Sequence, residues 1–347
     1  MDIITQQMLS LLRSSLNGLA PDSLPDSTEG WEKLFRLARK HGVVTMINDA
    51  IEHLPAEQQP QGDIALSWSL SADRTRYHYN HQAEVLQSIR QKSEAEGLRL
   101  GLIKGMSLSR YYPTPSSRAC GDIDIFFLPL SKQTYRQGNI LLGCPDAELD
   151  GKHAEVSVNG VPVENHLHFL DLNYISQYRA ERYIQSSLSD VSPEGYLSPM
   201  GNMVYLLMHT VCHLTAKYKL PLRNIIDWGM FLKANSQVLQ PAECHRVMRR
   251  IGMLPAFEIL TLLSGEFIGA DLSKFISGTI RHEDVDRMRE LILDKKYFEP
   301  VPSGLNPIQR FRVRWKRNQE RRWLYRYLPS TAVERVFFLF VHIFYKG

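Results

Sequence analysis

Two aspartates stand two residues apart in an apolar run, "GDIDIFFLPL" at residues 121–130. The run predicts a buried β-strand, and residues i and i+2 of a strand point to the same face. Asp122 and Asp124 are therefore predicted to lie side by side, while Ile123 and Ile125 point into the core. Two ionised carboxylates in a partly buried place repel each other unless a cation lies between them. Hard divalent cations such as Mg²⁺ or Mn²⁺ bind oxygen ligands, so the pair predicts a metal site.

A third carboxylate follows the pair on another predicted strand. In residues 153–170, an Asn-Gly pair at 159–160 stands between two alternating apolar runs, which predicts a hairpin with a type I′ turn. The alternation puts Glu164, His166 and His168 on one face of the second run. If that run pairs beside the aspartate strand, Glu164 faces the aspartates and completes a set of three ligands. The alternative is that all three acids are solvated strand residues paired with Lys or Arg, and the pattern alone leaves both interpretations open.

The segment before the aspartates offers groups that could bind phosphate. A short apolar strand candidate ends in Lys104-Gly105 and runs into a predicted helical turn. Glycine lets the backbone approach a ligand, and exposed N–H groups together with Ser107 or Ser109 could hold phosphate oxygens. Lys104 adds a point charge, and Arg118 could bind a phosphate with two parallel hydrogen bonds. The alternative for Lys104-Gly105 is a turn glycine after a surface lysine.

The order of these motifs resembles that of a known family. "GLIKGMSLSRYYPTPSSRACGDIDIFF" followed by "VENHLHF" is similar to the bacterial uncharacterised nucleotidyltransferases of the DNA polymerase β-like superfamily. That family has a strand ending in Lys-Gly, a small helix, a tyrosine, a loop arginine, two aspartates flanked by apolar residues and a later Glu-x-His. The resemblance covers approximately residues 30–260. The family's positions correspond to Lys104-Gly105, Tyr111 or Tyr112, Arg118, Asp122 and Asp124, and Glu164 with His166.

The resemblance implies a two-metal site on a mixed sheet. Asp122 and Asp124 would bind Mg²⁺ or Mn²⁺ on a nucleoside triphosphate, and Glu164 would bind a second metal and help to activate an acceptor hydroxyl. In-line attack on the α-phosphorus would release pyrophosphate, with paired metals stabilising the attacking and leaving oxygens. The nucleotide, the acceptor and the pathway are not implied. A small molecule or a protein hydroxyl fits as acceptor better than a polymer does.

The elements around these motifs predict an α+β fold with a polymerase β-like mixed-sheet core between two helical regions. We expect an N-terminal helical region over residues 1–96, an α/β core over 97–190, and a C-terminal helical region with a basic-aromatic tail over 191–347. Within the first region, apolar spacing predicts a helix over 3–19, a helix over 31–55 that Ser27 or Thr28 could cap, and a long helix over 64–96. Ser131 is predicted to cap a helix in the core.

Composition limits the class of protein more than it limits the function. The net charge of +4 does not by itself argue for nucleic acid. The four cysteines are widely spaced and lack a CxxC pair, which favours free thiols in a reducing cytosol. We see no signal peptide, and the longest apolar run, 336–344, is shorter than the ~20 residues of a membrane-spanning helix. These features predict a cytoplasmic protein.

Three further features have a functional and a structural interpretation. His209 and His213 share a helical face but lack the Glu of a zinc-protease motif, so core or cleft-lining histidines are favoured over a zinc site. Asp227 is expected to pair with Arg223 or to cap a histidine. The tail over residues 310–327 contains eight Arg or Lys and four Trp or Tyr. It could bind nucleic acid or an anionic membrane, but a solvated basic face with inward-packed aromatics is favoured.

Two other functions are therefore weighed against nucleotidyl transfer. One is a noncatalytic module of the same fold that binds nucleotide or a partner protein. The retention of Asp122, Asp124 and Glu164 together argues against it, because binding alone would not need all three. The other is a nucleic-acid-binding protein in which the basic tail is the working part.

Overall fold

The computed structural model of the protein describes residues 1–217, 220–278, 280–293, 304–320 and 322–328. The chain begins with a helical region, as expected. Ser27 caps the second helix by accepting a hydrogen bond from the Gly30 N–H. That helix ends at Gly42, whose φ of 69° is left-handed, so the single helix predicted over 31–55 is wrong and two helices stand there. The helices are α1 (Ile3–Asn17), α2 (Thr28–His41), α3 (Val44–Ile51) and α4 (Asp63–Ala95).

A four-stranded mixed sheet follows these helices. Its strand order is β1-β2-β4-β3, with β2 and β4 parallel and the two outer pairs antiparallel. The prediction of an α+β fold whose mixed sheet lies between two helical regions is therefore confirmed. The elements of this part are β1 (Arg99–Ile103), α5 (Lys104–Ser109), β2 (Ile123–Leu128), α6 (Lys132–Leu141), β3 (His153–Val158) and β4 (Val161–His166).

Local signals in the sequence explain how these elements begin and turn. Asn159 and Gly160 have φ values of 50° and 78°, as the two central residues of a type I′ turn require. The hairpin prediction for β3 and β4 is confirmed. The Ser131 side chain accepts a hydrogen bond from the Thr134 N–H and caps α6, which is also confirmed.

The two faces of β2 have different surroundings. Ile123, Ile125 and Phe127 belong to a core that the sheet forms with α4 and α6. Phe126 faces the other way and packs against Phe169, with ring centroids 5.2 Å apart. Strand alternation therefore puts the aspartates on the Phe126 face, on the side of the C-terminal helices.

The C-terminal helices share one hydrophobic core with the N-terminal ones. α9 and α1 both pack on α11. One core therefore contains helices that come before the sheet in the sequence and helices that come after it. The boundaries at 96/97 and 190/191 stay a prediction. The helices are α7 (Ile175–Ser186), α8 (Pro199–Lys217), α9 (Leu222–Ala234), α10 (Pro241–Ile251), α11 (Leu254–Ile268), α12 (His282–Leu293) and α13 (Pro307–Glu320).

The basic-aromatic tail divides into two parts. Tyr327 is buried and its hydroxyl donates a hydrogen bond to Asp284 Oδ2 at 2.8 Å, as expected for inward packing. For α13 that expectation is wrong, because Phe311 and Trp315 stack on each other and are each 52% exposed. The apolar run at 336–344 lies outside the described residues. Among the helices that the structure describes, none is long and apolar enough to cross a membrane.

Gly101 is a position where the sheet tolerates no side chain. A Cβ there would lie 2.1 Å from Phe126 Cζ, well inside contact distance. We expect Gly101→Ala to lower the free energy of unfolding by about 1–3 kcal/mol, because the Phe126 ring has to move within a packed core. Gly121→Ala is the matched control, since its Cβ would meet no atom within 4 Å. Equal denaturant midpoints for the two variants would contradict this account.

Candidate active site

Three carboxylates meet where β2 lies beside β4. The parallel register pairs Asp124 with Glu164, and Asp122 immediately precedes β2. One oxygen from each of the three side chains lies within 4.8 Å of the other two. The structure thus brings the sequence-predicted acids together through strand pairing. Their catalytic and metal-binding roles stay predictions.

The electrostatics of the three acids reflect their crowding. Burial and the negative charge of Asp124 raise the pKa of Asp122 to about 6, although Lys104 opposes this. Burial would also raise the pKa of Glu164, but hydrogen bonds from His166 and Lys104 outweigh it and lower that pKa well below its usual range. Asp124 is buried, and its Oδ2 has no hydrogen-bond partner in the described part of the chain. A divalent cation fits this set, because its ligands are oxygens and one buried acceptor is unused.

Lys104 supplies a positive charge inside the cluster. Its ammonium contacts Asp124 Oδ1 and lies 3.0 Å from Glu164 Oε2. Burial alone would lower the pKa of Lys104, but the surrounding negative charges raise it well above its usual range. The backbone of Lys104 is left-handed, with φ of 48°. This conformation is uncommon in residues other than glycine, and residues that adopt it are often found at functional sites. This turn between β1 and α5 directs the side chain towards β2 and β4.

Two other predicted phosphate-binding residues lie next to Lys104. Gly105 is close to the chain before β2, since a Cβ there would lie 3.4 Å from the Asp122 carbonyl oxygen. Ser107 is buried, and its hydroxyl donates a hydrogen bond to the Lys104 carbonyl oxygen at 2.8 Å. The structure therefore places both residues beside the cluster, with the Ser107 hydroxyl committed to its own helix.

Arg118 is buried against α9 rather than directed at the carboxylate cluster. Its Nε and Nη2 donate to the two carboxylate oxygens of Asp227 at 2.8 and 2.7 Å. The Tyr112 hydroxyl donates a further hydrogen bond to Asp227 at 2.6 Å. The expected pairing of Asp227 with Arg223 is wrong, because Arg223 donates instead to the Ala119 carbonyl oxygen. These two partners of Asp227, Arg118 and Tyr112, lie 109 and 115 residues away in sequence, and no local pattern signals them.

His153 is a neighbour of the cluster that the sequence analysis missed. It pairs with His166 across the hairpin, and the two ring centroids are 4.9 Å apart. The signal was present, because residues 153 and 166 are equally distant from the Asn159-Gly160 turn. A two-residue turn fixes the register and places equidistant residues opposite each other.

Two α8 residues, Tyr205 and His209, lie close enough to interact electrostatically with the charges of the cluster. The Tyr205 hydroxyl is buried and has no hydrogen-bond partner among the described residues. Burial raises the pKa of Tyr205 well above its usual range. The positive charge of Lys104 opposes this rise, and the negative charge of Asp124 adds to it. Burial and the Lys104 charge lower the pKa of His209. The His209 ring stacks on that of Tyr205, with centroids 6.1 Å apart, which agrees with a core or cleft-lining role.

The described residues give no support to a zinc site at His209 and His213. Their Nε2 atoms lie 3.3 Å apart. Neither residue belongs to a group of three potential metal ligands in the part of the chain that the structure describes.

Comparison with known proteins identifies a family but no individual relative. Comparisons with curated proteins and with solved structures found no match. A family model described as "Uncharacterised nucleotidyltransferase" matches residues 27–269. This range contains the whole sheet, the three acids and helices α2 to α11. Because the match covers well over half of the 347 residues, the chain belongs to this family of uncharacterised nucleotidyltransferases.

Proposed function

We propose that the protein is a metal-dependent nucleotidyltransferase that moves a nucleoside monophosphate from an NTP to an acceptor hydroxyl and releases pyrophosphate. The observation that carries this proposal is the meeting of Asp122, Asp124 and Glu164 at the paired strands of a domain in this family. A module that only binds nucleotide would gain nothing from three crowded acids, of which one has its pKa raised to about 6.

The three carboxylates would hold Mg²⁺ or Mn²⁺. When bound, the metal would neutralise phosphate charge and stabilise the attacking and leaving oxygens of the displacement. Glu164, whose lowered pKa keeps it ionised, would orient the acceptor hydroxyl as a hydrogen-bond acceptor. Asp124 and His166 are each only 1% exposed, so bulk water has little access to this part of the cluster.

We propose that four residues contact the nucleotide. They differ in how readily they could reach a phosphate bound at the carboxylate cluster. Lys104 is the best placed, since its ammonium already lies among the carboxylates and can form ion pairs with phosphate oxygens. Gly105 and Ser107 are next to it in α5. Arg118 would have to leave Asp227 to reach a phosphate, so its contribution is proposed only if that ion pair opens. The acceptor is proposed to be a small-molecule or protein hydroxyl.

Metal removal tests the proposed reaction. The protein is incubated with a cell lysate and with ATP, CTP, GTP or UTP labelled at the α- or the γ-phosphate. We expect transfer of the α-label and none of the γ-label, loss of transfer after chelation, and recovery with Mg²⁺ or Mn²⁺, because the acids need a cation to bind triphosphate. Lysate without the protein is the control. NTP binding without transfer would instead identify a noncatalytic module.

A further inference from the structure

His166 donates one ring N–H to a backbone carbonyl, as metal-ligating imidazoles do, and directs its other ring nitrogen at two carboxylates. Its Nδ1 lies 3.1 Å from the His168 backbone carbonyl oxygen, which can only accept, so Nδ1 carries the proton of that bond. Its Nε2 lies 3.0 Å from Asp124 Oδ1 and 3.1 Å from Glu164 Oε2. Metal-binding histidines characteristically donate one ring N–H to a backbone carbonyl or a carboxylate while the other nitrogen faces the metal.

His153 brings a second imidazole nitrogen to the same carboxylate. Its Nδ1 lies 3.4 Å from Glu164 Oε2 and makes no hydrogen bond within the described ranges. Ligand atoms of His153, Glu164 and His166 all lie within 4.8 Å of one another. Glu164 thus belongs both to this nitrogen-containing group and to the all-oxygen group with the aspartates.

Two unused buried oxygens and the charge balance support a further cation here. Asp124 Oδ2 and the Tyr205 hydroxyl are buried without a hydrogen-bond partner in the described part of the chain, and the other oxygen of Asp124 lies 3.0 Å from His166 Nε2. Among the described residues, the three carboxylates face one ammonium, that of Lys104, together with the imidazoles of His153 and His166. Unpaired buried acceptors and excess negative charge are unfavourable in a protein interior unless a ligand compensates them.

We propose that His153, Glu164 and His166 form a second metal position that binds a transition-metal ion, Mn²⁺ or Zn²⁺, through two imidazole nitrogens and a shared carboxylate. Imidazole ligands favour transition metals, whereas Mg²⁺ favours oxygen ligands. The shared Glu164 would therefore join an oxygen-lined position, suited to Mg²⁺ with a nucleotide, to a nitrogen-containing one. This inference rests on the geometry of the hairpin and stands apart from whether the protein transfers nucleotides.

Electron paramagnetic resonance of the full-length protein loaded with Mn²⁺ alone tests the proposal. Coupling of the manganese electron spin to ¹⁴N reports directly bound imidazole nitrogen. We expect two nitrogen couplings in the wild type and one in His153→Phe, which retains a ring to pack on His166 but has no donor atom. The Mn²⁺ affinity of the nitrogen-containing position should fall by about tenfold or more, while Mg²⁺ affinity changes little.

His168→Ala is the matched control. The His168 ring lies near Glu181 instead of the cluster, and His166 bonds only the backbone of this residue. The control should retain both couplings and the wild-type Mn²⁺ affinity. A Mn²⁺ spectrum without nitrogen coupling, no Mn²⁺ binding, or couplings unchanged in His153→Phe would overturn the proposal. Label transfer by a protein that shows no nitrogen coupling would leave the proposed function standing and remove this second position alone.

Discussion

Replacing Asp122 and Asp124 together by asparagine is expected to lower nucleotidyl transfer by roughly 10³-fold or more. Asparagine retains the shape of the side chain but removes the two negative charges that would hold a cation. Loss of even one electrostatic donor at a reacting centre costs about 10²–10³ in rate, and this variant removes the main ligands of the proposed metal. The measurement is transfer of α-labelled nucleotide, with folding checked by circular dichroism.

Glu155→Gln is the matched control for this experiment. Glu155 stands opposite Glu164 in the β3–β4 register, yet its side chain is exposed and outside both potential metal-ligand groups. Its variant should transfer label at the wild-type rate. Equal transfer by the double asparagine variant and the wild type would show that the proposed mechanism is wrong.

The positions of the acids could be predicted because each step depends on local periodicity. Alternation assigned Asp122 and Asp124 to one face, and an Asn-Gly turn fixed the hairpin that carries Glu164. For β2 and β4 to pair in parallel, the chain must cross over between them through α6 and β3. The sequence is compatible with this connection but does not determine it. The same hairpin register also contained the position of His153, since it stands opposite His166.

Other features depend on contacts between distant segments, and the sequence does not show them. The break at Gly42 is the exception, because it is local: the left-handed backbone of this glycine divides a continuous amphipathic pattern into α2 and α3. The exposure of Trp315 depends on which other segments pack against α13. Amphipathic spacing alone favoured a helix whose aromatic side chains face inward. Arg118 in a loop near acids resembles a phosphate ligand until its partner on α9 is known.

Asp227→Leu is expected to lower the free energy of unfolding by about 3–5 kcal/mol, because it leaves the Arg118 guanidinium buried and unpaired. Both side chains are only 6% exposed, and two parallel hydrogen bonds join them. The Tyr112 hydroxyl also loses its acceptor. Denaturant unfolding measures the loss. Glu243→Ala, which breaks an exposed pair with Arg246, should change stability by no more than about 1 kcal/mol.

The double variant Arg118→Met/Asp227→Leu separates the cost of an unpaired charge from the value of the pair. Replacing both members of a buried ion pair by apolar residues of similar volume is often close to neutral, so the double variant should recover most of the stability that Asp227→Leu loses. If it is no more stable than the single variant, burial of unpaired charge is not the cause. Its KM for NTP then tests Arg118 directly. If Arg118 contacts a phosphate, the KM of the folded double variant should be raised. If the ion pair only holds the loop before Asp122 against α9, the KM should be unchanged.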